Sequence, residues 1–264
     1  MRALRAAVVG GVVLFLTAPL LVVTVASFNR DRYLDFPVEE YSTGWYGQLV
    51  TDSQWRGAMS NSLTIGLASA TLAVLIALPL AYGVHTYRPR LAPVLMGLGV
   101  LPFMLPPVIS AVGALVFWNR IGQVGRIENV IVAHAVFFSS VPLVTISLGL
   151  QAIDPAVGEA ASTLGAAPRQ RFRTVTLPLL VPSIVTGFVA AFVLSLNEYI
   201  IAFMVAGFTV ETLPIKIFNS LRYGFTPTIA AVSVVFTLLS LVALTILARL
   251  GSLERLLGAD HSGH

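Results

Sequence analysis

Charged residues in this 264-residue chain gather in short islands, and the stretches between them are long and apolar. Residues 6–29, 57–87, 91–119, 129–153, 174–197 and 223–248 hold no Asp, Glu, Lys or Arg, which leaves runs of 24, 31, 29, 25, 24 and 26 residues. Each run exceeds the roughly 18 residues a helix needs to cross ~30 Å of hydrocarbon. That layer offers no water to the backbone, so a single crossing stretch closes its own hydrogen bonds as a helix. The pattern predicts an all-α integral membrane protein, one transmembrane domain over 1–264. Its six transmembrane helices are expected near 7–28, 58–85, 93–118, 129–151, 181–206 and 228–249.

Composition excludes the other classes. The chain is 56% hydrophobic and 11% charged, where soluble domains carry about 45–50% apolar and about 25% charged residues. It cannot cover a water-facing surface, which rules out a soluble enzyme, and it is too apolar to stay disordered. With no cysteine, disulfides, thiolate catalysis and cysteine-held metals drop out, and no other metal or cofactor is expected. The formal charge of +4 belongs on cytoplasmic loops rather than against nucleic acid. The start Met1-Arg2-Ala3-Leu4-Arg5 is basic like a signal peptide, but the apolar run Ala6–Phe28 outlasts the roughly 7–15 residues of a signal core. It reads as a retained first span.

Loop charges set the expected orientation. With the N-terminus inside, the inner segments carry Arg2, Arg5, Arg88, Arg90, Arg169, Arg171, Arg173, Arg249 and Arg255 against Asp154, Glu159, Glu254 and Asp260, a net of +5. The outer segments carry Arg30, Arg32, Arg56, Arg120, Arg126, Lys216 and Arg222, balanced by seven acids that include Asp35. The bias favours cytoplasmic termini. The first outer loop, about Asn29–Trp55, contains Tyr33, Tyr41, Trp45, Tyr46 and Trp55, residues that suit a membrane-interface belt.

Between the fourth and fifth runs lies the most informative loop, about 152–178. Asp154 can cap a helix, and Pro155 suits its first position because the donor it lacks would be orphaned there. Ala156, Gly158, Ala160 and Ala161 are small enough to let another surface approach the backbone. Gly165 is a good stop and Pro168 a second start. The expected product is a short amphipathic helix, a corner, and a basic helix through Arg169, Arg171 and Arg173 leading into the fifth span. Connectors in helix bundles commonly run about 2–8 residues, and the extra length points to a docking knob for a cytoplasmic partner.

These residues carry a resemblance. Glu159-Ala160-Ala161, then Gly165, then Leu177-Pro178, with Val175 where isoleucine is usual, resemble the Glu-Ala-Ala signature of membrane permeases in ATP-binding cassette importers. Asn61-Ser62-Leu63, Leu101-Pro102 and Pro106-Pro107 extend the likeness, which runs from Asn61 to about Arg249. The resemblance implies the type I importer permease fold, in a bacterial inner (plasma) membrane, multi-pass, with both termini cytoplasmic. It implies two such subunits forming the pathway, two cytoplasmic ATP-binding cassette ATPase subunits driving it, and an extracytoplasmic solute-binding protein delivering the solute. The loop would dock into the ATPase as a coupling helix through Glu159, Ala160, Ala161 and Gly165. The chain has no Gly-rich phosphate cradle of its own, so it is not read as an enzyme.

Two ionisable groups fall inside the predicted spans, where such groups are expensive and mark function. His134 reads as a neutral imidazole satisfied by a neighbouring helix. Glu198, in a helix read as running from Phe188 to Val205, would cost ~2.5–3.5 kcal/mol at the bilayer centre. It should face a cavity, a partner or a cation, or else make an internal hydrogen bond or lie near the outer interface. The stretch Asn197-Glu198-Tyr199-Ile200-Ile201, with Leu213-Pro214-Ile215-Lys216-Ile217-Phe218 and Phe225-Thr226-Pro227, is similar to the second permease of spermidine/putrescine-type importers. That likeness implies a different permease as partner, a polyamine or similar small cation as solute, and Asn197, Glu198 and Tyr199 on its path. Polyamine permeases often hold two neighbouring acids here, and Asn197 stands in place of one. Tyr199, Phe192 and Phe203 could offer cation–π faces, although core packing accounts for them equally. The same machinery could carry an opine, a phosphonate or ferric ion. A secondary transporter would need repeats or an ion-coordinating set, and a membrane enzyme clustered His, Asp or Ser, neither of which the sequence displays.

Overall fold

The computed structural model describes residues 2–31, 37–222, 224 and 226–258. Arg32, Tyr33, Asp35, Phe225 and Asp260 lie outside the described residues, as do the side chains of Arg2, Glu254 and Arg255. The first helices are α1 (Arg2–Ala26), α2 (Gly44–Thr51), α3 (Ser53–Tyr87), α4 (Ala92–Met104) and α5 (Pro107–Arg120). They are followed by α6 (Ile127–Phe138), α7 (Ser140–Ala152), α8 (Pro155–Thr163), α9 (Pro168–Arg171) and α10 (Leu177–Asn197). The chain ends in α11 (Ile200–Ala206), α12 (Leu213–Leu221) and α13 (Pro227–Gly258). Among the described residues, four helical stretches are long and apolar enough to cross a membrane alone, and the bent pairs α4–α5 and α6–α7 raise the number to as many as six.

α3 and α10 form the centre, with α6, α7 and α13 packed around them. On α3, Ala58, Ser62, Gly66, Ser69, Ala73, Ala77 and Ala81 are buried, and their spacing of three or four residues keeps them on one face. In lipid, apolar area alone does not drive helices together, so close approach through small residues matters more. The ring of Phe192 on α10 lies 3.0 Å from where a Cβ on Gly66 would stand. Gly187 of α10 abuts α7, with the Pro142 Cα 2.7 Å from the corresponding point. Besides a smaller cluster of Trp55, Ala58, Leu213 and Val232, one part of the core is Leu143, Ile146 and Leu150 of α7 with Leu180 of α10. Another part joins Ile65, Val130, Phe137, Ile201 and Ile215.

Three expected spans take a different form. The third run is not one helix over 93–118: it breaks at Leu105-Pro106, and α4 meets α5 at 102°. Leu105 and Pro106 are both extended, with ψ of 146° and 135°, because a residue before proline is pushed out of the helical region and neither proline donates. The fourth run bends by 41° between α6 and α7, where Pro142 has no N–H for the Phe138 carbonyl. The fifth runs over 168–197 rather than 181–206. There α9 and α10 join through a π-helical turn, Phe172–Thr176, whose Leu177 amide reaches back to Phe172 just before the donorless Pro178. The basic residues of the expected 152–178 loop therefore belong to the foot of this helix, and the helix ends at Asn197, not at Val205. In the first outer loop, Tyr46 and Ser27 hydroxyls lie 2.6 Å apart, Trp45 donates to the Asn29 carbonyl at 2.6 Å, and Trp55 is buried. These aromatics pack the loop inward, and among the described loop aromatics Tyr41 is exposed.

The α7–α10 contact makes a direct test of the packing. Gly187→Val forces the Pro142 backbone to move, and overpacking of this kind costs about 1–3 kcal/mol. The purified variant should melt at lower temperature than the parent, whereas Gly97→Ala, where an added Cβ meets nothing within 4 Å and alanine favours the helix, should not lower it.

Candidate functional site

Two features at opposite ends of α10 draw the chemistry together. The first is α8, which projects where α7 stops and α9 starts. Asp154 Oδ1 accepts from the Ala156 amide at 2.8 Å, and Pro155 takes the next position. At the far end Gly165 adopts φ +82°. Its amide donates to the Ser162 carbonyl and the Ala166 amide to the Ala161 carbonyl, both at 3.0 Å, the paired bonds by which a left-handed glycine closes a helix. Arg171 Nη1 donates to Ser162 Oγ at 3.0 Å, bracing α8 against the foot of α10. The rings of Phe172 and Tyr82 meet at 4.6 Å and tie that foot to α3. Glu159, Ala160 and Gly165 stand exposed and Ala161 is half-buried. Leu164, at the corner, is 88% exposed. The result is a small-residue knob with the Asp154 carboxylate spent on its cap, the Glu159 carboxylate exposed and one bare leucine.

The second feature is the break between α10 and α11. Glu198 is extended, with φ −78° and ψ 130°, so α11 begins with unpaired amides. Glu198 itself supplies the acceptors: Oε1 takes the Ile201 amide at 2.8 Å and Oε2 the Ala202 amide at 3.0 Å. His134 of α6 closes the other side, its Nε2 3.1 Å from Glu198 Oε2 and its Nδ1 2.8 Å from Ser195 Oγ. The Ser69 hydroxyl of α3 reaches Ser195 Oγ at 3.0 Å. One assignment satisfies every member: Ser69 donates to Ser195, Ser195 to His134 Nδ1, and His134 Nε2–H to the carboxylate. The His134 and Glu198 side chains are 1% and 8% exposed, so both sit away from solvent.

The sequence reading put Glu198 inside a helix, and the structure puts it at a break between two helices. The neighbouring-helix partner expected for His134 is Ser195. Glu198 makes the internal hydrogen bonds that were one of its readings, and its carboxylate is enclosed rather than bare. Asn197 is exposed, its Nδ2 donating to the Val193 carbonyl at 2.8 Å. Tyr199 stacks on Phe203 at 5.4 Å between ring centres and tilts against Phe218 at 4.8 Å. Phe192 is used in packing on Gly66. Three contributors were missed. Ser69 and Ser195 carry no sequence signal, since a serine in a span ordinarily bonds its own helix. Lys216 was read as an outer-loop charge, yet it is 7% exposed. Its Nζ bonds Glu211 Oε2 and Gln54 Oε1, each at 3.1 Å, and lies 5.0 Å from the Trp55 ring. The available hint was a lone lysine among Ile215, Ile217 and Phe218.

Removing the donor that faces a buried carboxylate leaves that charge under-bonded, at a cost above the roughly 1–3 kcal/mol of an ordinary unsatisfied buried group. His134→Ala should therefore lower the melting temperature of the purified protein strongly. Adding Glu198→Gln, which keeps an acceptor for α11 but removes the charge, should recover part of the loss. A double variant no more stable than His134→Ala alone would mean that the two side chains are not coupled.

Residues 73–252 match the family model described as "Binding-protein-dependent transport system inner membrane component". The spermidine/putrescine transport system permease protein PotC of Escherichia coli (strain K12) is 30% identical over 241 residues, 91% of either chain. The putrescine transport system permease protein PotI of the same organism is 32% identical over 226 residues, 83% of this chain and 80% of that one. Among solved structures, a bacterial ABC transporter that imports the acidic polysaccharide alginate superposes with a TM-score of 0.64 at 21% identity, covering 96% of this chain and 95% of that one. An inward-facing MetNI methionine ABC transporter does so with a TM-score of 0.64 at 20% identity, covering 79% and 96%. These last two likenesses show the shared helical fold of ABC importer permeases.

Proposed function

Because the chain belongs to the family of binding-protein-dependent transport system inner membrane components, we propose that it lines one half of an import pathway for a polyamine or similar small cation. As the permease of such an importer it is not itself an enzyme; an ATPase and a periplasmic binding protein are the partners that this class implies. In the proposed assembly two ATPase subunits bind from the cytoplasm and a second, different permease completes the pathway. α8 is the coupling helix, docking on an ATPase through Glu159, Ala160, Ala161 and Gly165. In this reading both termini are cytoplasmic, on the side of Arg88, Arg90, Arg169, Arg171 and Arg173, since basic residues gather in cytoplasmic loops.

The observation that carries the cation reading is the break at Glu198-Tyr199 in a chain about 30% identical to two polyamine permeases. A helix that stops within the membrane presents its last carbonyls, the negative end of its dipole, to a cation. Asn197 adds an amide oxygen that is unpartnered among the described residues, and the Tyr199 ring adds a π face. Glu198 stands behind them as the charge of the site while its oxygens hold α11. Asn197, neutral where the polyamine-type pattern often has an acid, favours an amino-acid-like opine as the second reading.

Reconstituting the importer with its cognate binding protein in liposomes tests the solute. Spermidine or putrescine should be taken up with ATP, and uptake of an opine but not of polyamines would select the second reading. Glu198→Gln should lower polyamine uptake about tenfold or more, the order expected for losing one charge beside a cation in a low-dielectric site, with the ATPase subunits still bound. Unchanged uptake would remove Glu198 from the pathway.

Coupling is tested at the other end of α10. Glu159→Lys should uncouple ATP hydrolysis from uptake or release the ATPase on purification. Gly165→Val, which places a branched residue at φ +82° at a cost of about 1–2 kcal/mol, should do the same by reshaping the corner. Normal coupling in both would show that α8 is only a connector.

A further inference from the structure

Beside α8, where the last turn of α3, the first turn of α4 and the end of α7 converge, a cleft of about 330 Å³ opens. Its size falls within the roughly 300–1,000 Å³ of ligand-binding clefts. Its apolar lining is Ala81, Val84, Ala92 and Met96. The mouth is polar, from His85, Arg88 and Gln151, and no acidic residue lines it. Among the described residues none of these three side chains has a hydrogen-bond or ionic partner, and the Ser147 hydroxyl on the cleft wall is buried without one.

Arg88 adds a second sign. It caps α3 with φ +43° and ψ 54°, the one non-glycine among the described residues with positive φ. A bulky side chain held in that region is strained, and such strain concentrates at functional positions. The depth is also informative. The charge-free runs 57–87 and 91–119 end at Arg88 and Arg90, so the cleft opens at the level where apolar chain gives way to polar headgroups.

We propose that this cleft holds the headgroup of an anionic glycerophospholipid, with the chemistry of phosphatidylglycerol. The Arg88 guanidinium presents a planar fork of donors suited to a phosphate diester, with the His85 imidazole and the Gln151 amide completing its shell. The acyl chains leave along Val84, Ala92 and Met96. A basic pocket between spans at the interface is a recognised setting for anionic headgroups. The proposal rests on the proposed orientation only for the leaflet, which would be the cytoplasmic one. Because the cleft adjoins the start of α8, a lipid seated there would set the local packing of the coupling end.

The test uses the assembled importer in nanodiscs of equal phosphatidylglycerol and phosphatidylcholine, with retained lipid measured by native mass spectrometry after release. The parent should retain phosphatidylglycerol. Arg88→Gln should reduce that retention about tenfold or more, the order expected for losing a charge-assisted hydrogen bond, and Arg88→Lys by less. Ala92→Leu fills the cleft without changing charge and should also reduce retention, which keeps the test valid if Arg88→Gln disturbs assembly. Arg90→Gln, an exposed neighbour outside the cleft, should have no effect. The proposal is overturned if Arg88→Gln and Ala92→Leu retain as much lipid as the parent, or if Arg90→Gln loses as much as Arg88→Gln. Retention of phosphatidylcholine instead, or displacement of the lipid by millimolar inorganic phosphate, would overturn it as well. None of these readouts depends on which solute is transported, so the outcome is separate from that of the uptake assays.

Discussion

A helix that starts in the interior of a bundle leaves its first amides without partners, and the structure is arranged around meeting that demand at Glu198. The carboxylate takes the first amides of α11, His134 takes the carboxylate, Ser195 takes His134, and Ser69 takes Ser195. One line of hydrogen bonds thereby joins α3, α6, α10 and α11. The approach of α3 to α10 at Gly66 is part of the same arrangement, since Ser69 lies one turn along the same face. A larger residue at Gly66 would separate the helices that the line connects.

The two breaks are built by opposite means. Between α4 and α5, consecutive prolines withhold donors and force two extended residues, so the chain turns by 102° because the helix cannot continue. Between α10 and α11 every residue from Asn197 to Ile201 could continue a helix. The chain instead stops because a side chain offers acceptors that reward a new start. A break of the second kind holds a buried polar group, which is where a solute path through an apolar bundle finds its chemistry.

α10 and its foot also relate the two candidate sites. Residues 168–197 form one helical stretch of 30 residues, about 45 Å long at 1.5 Å per residue. Arg171 at its lower end holds α8, and Asn197 at its upper end borders the break. A shift of α8 therefore acts on the same rod that ends at Glu198, with the π-helical turn at Phe172–Thr176 as the place where the rod is locally unwound. Lys216, bound by Glu211 and Gln54 over Trp55, secures α12 to the start of α3 on the side of the break.

Much of this was legible in residue order because it depends on local chemistry. A charge-free run long enough to cross lipid must be helical, and Asp154-Pro155 and Gly165 dictate where α8 starts and stops, since caps are satisfied within a few residues of themselves. Pro106-Pro107 carried the signal for the 102° turn, although hydropathy alone read across it. What needed the tertiary structure was every decision made between helices. Whether Glu198 faces a solute, a partner or its own chain depends on His134, 64 residues away, and on the Ser69–Ser195 contact across 126. Those partners are chosen by how closely α3, α6 and α10 can approach one another. Helix formation satisfies each backbone by itself, whereas a buried charge is satisfied only by whatever the packing brings beside it.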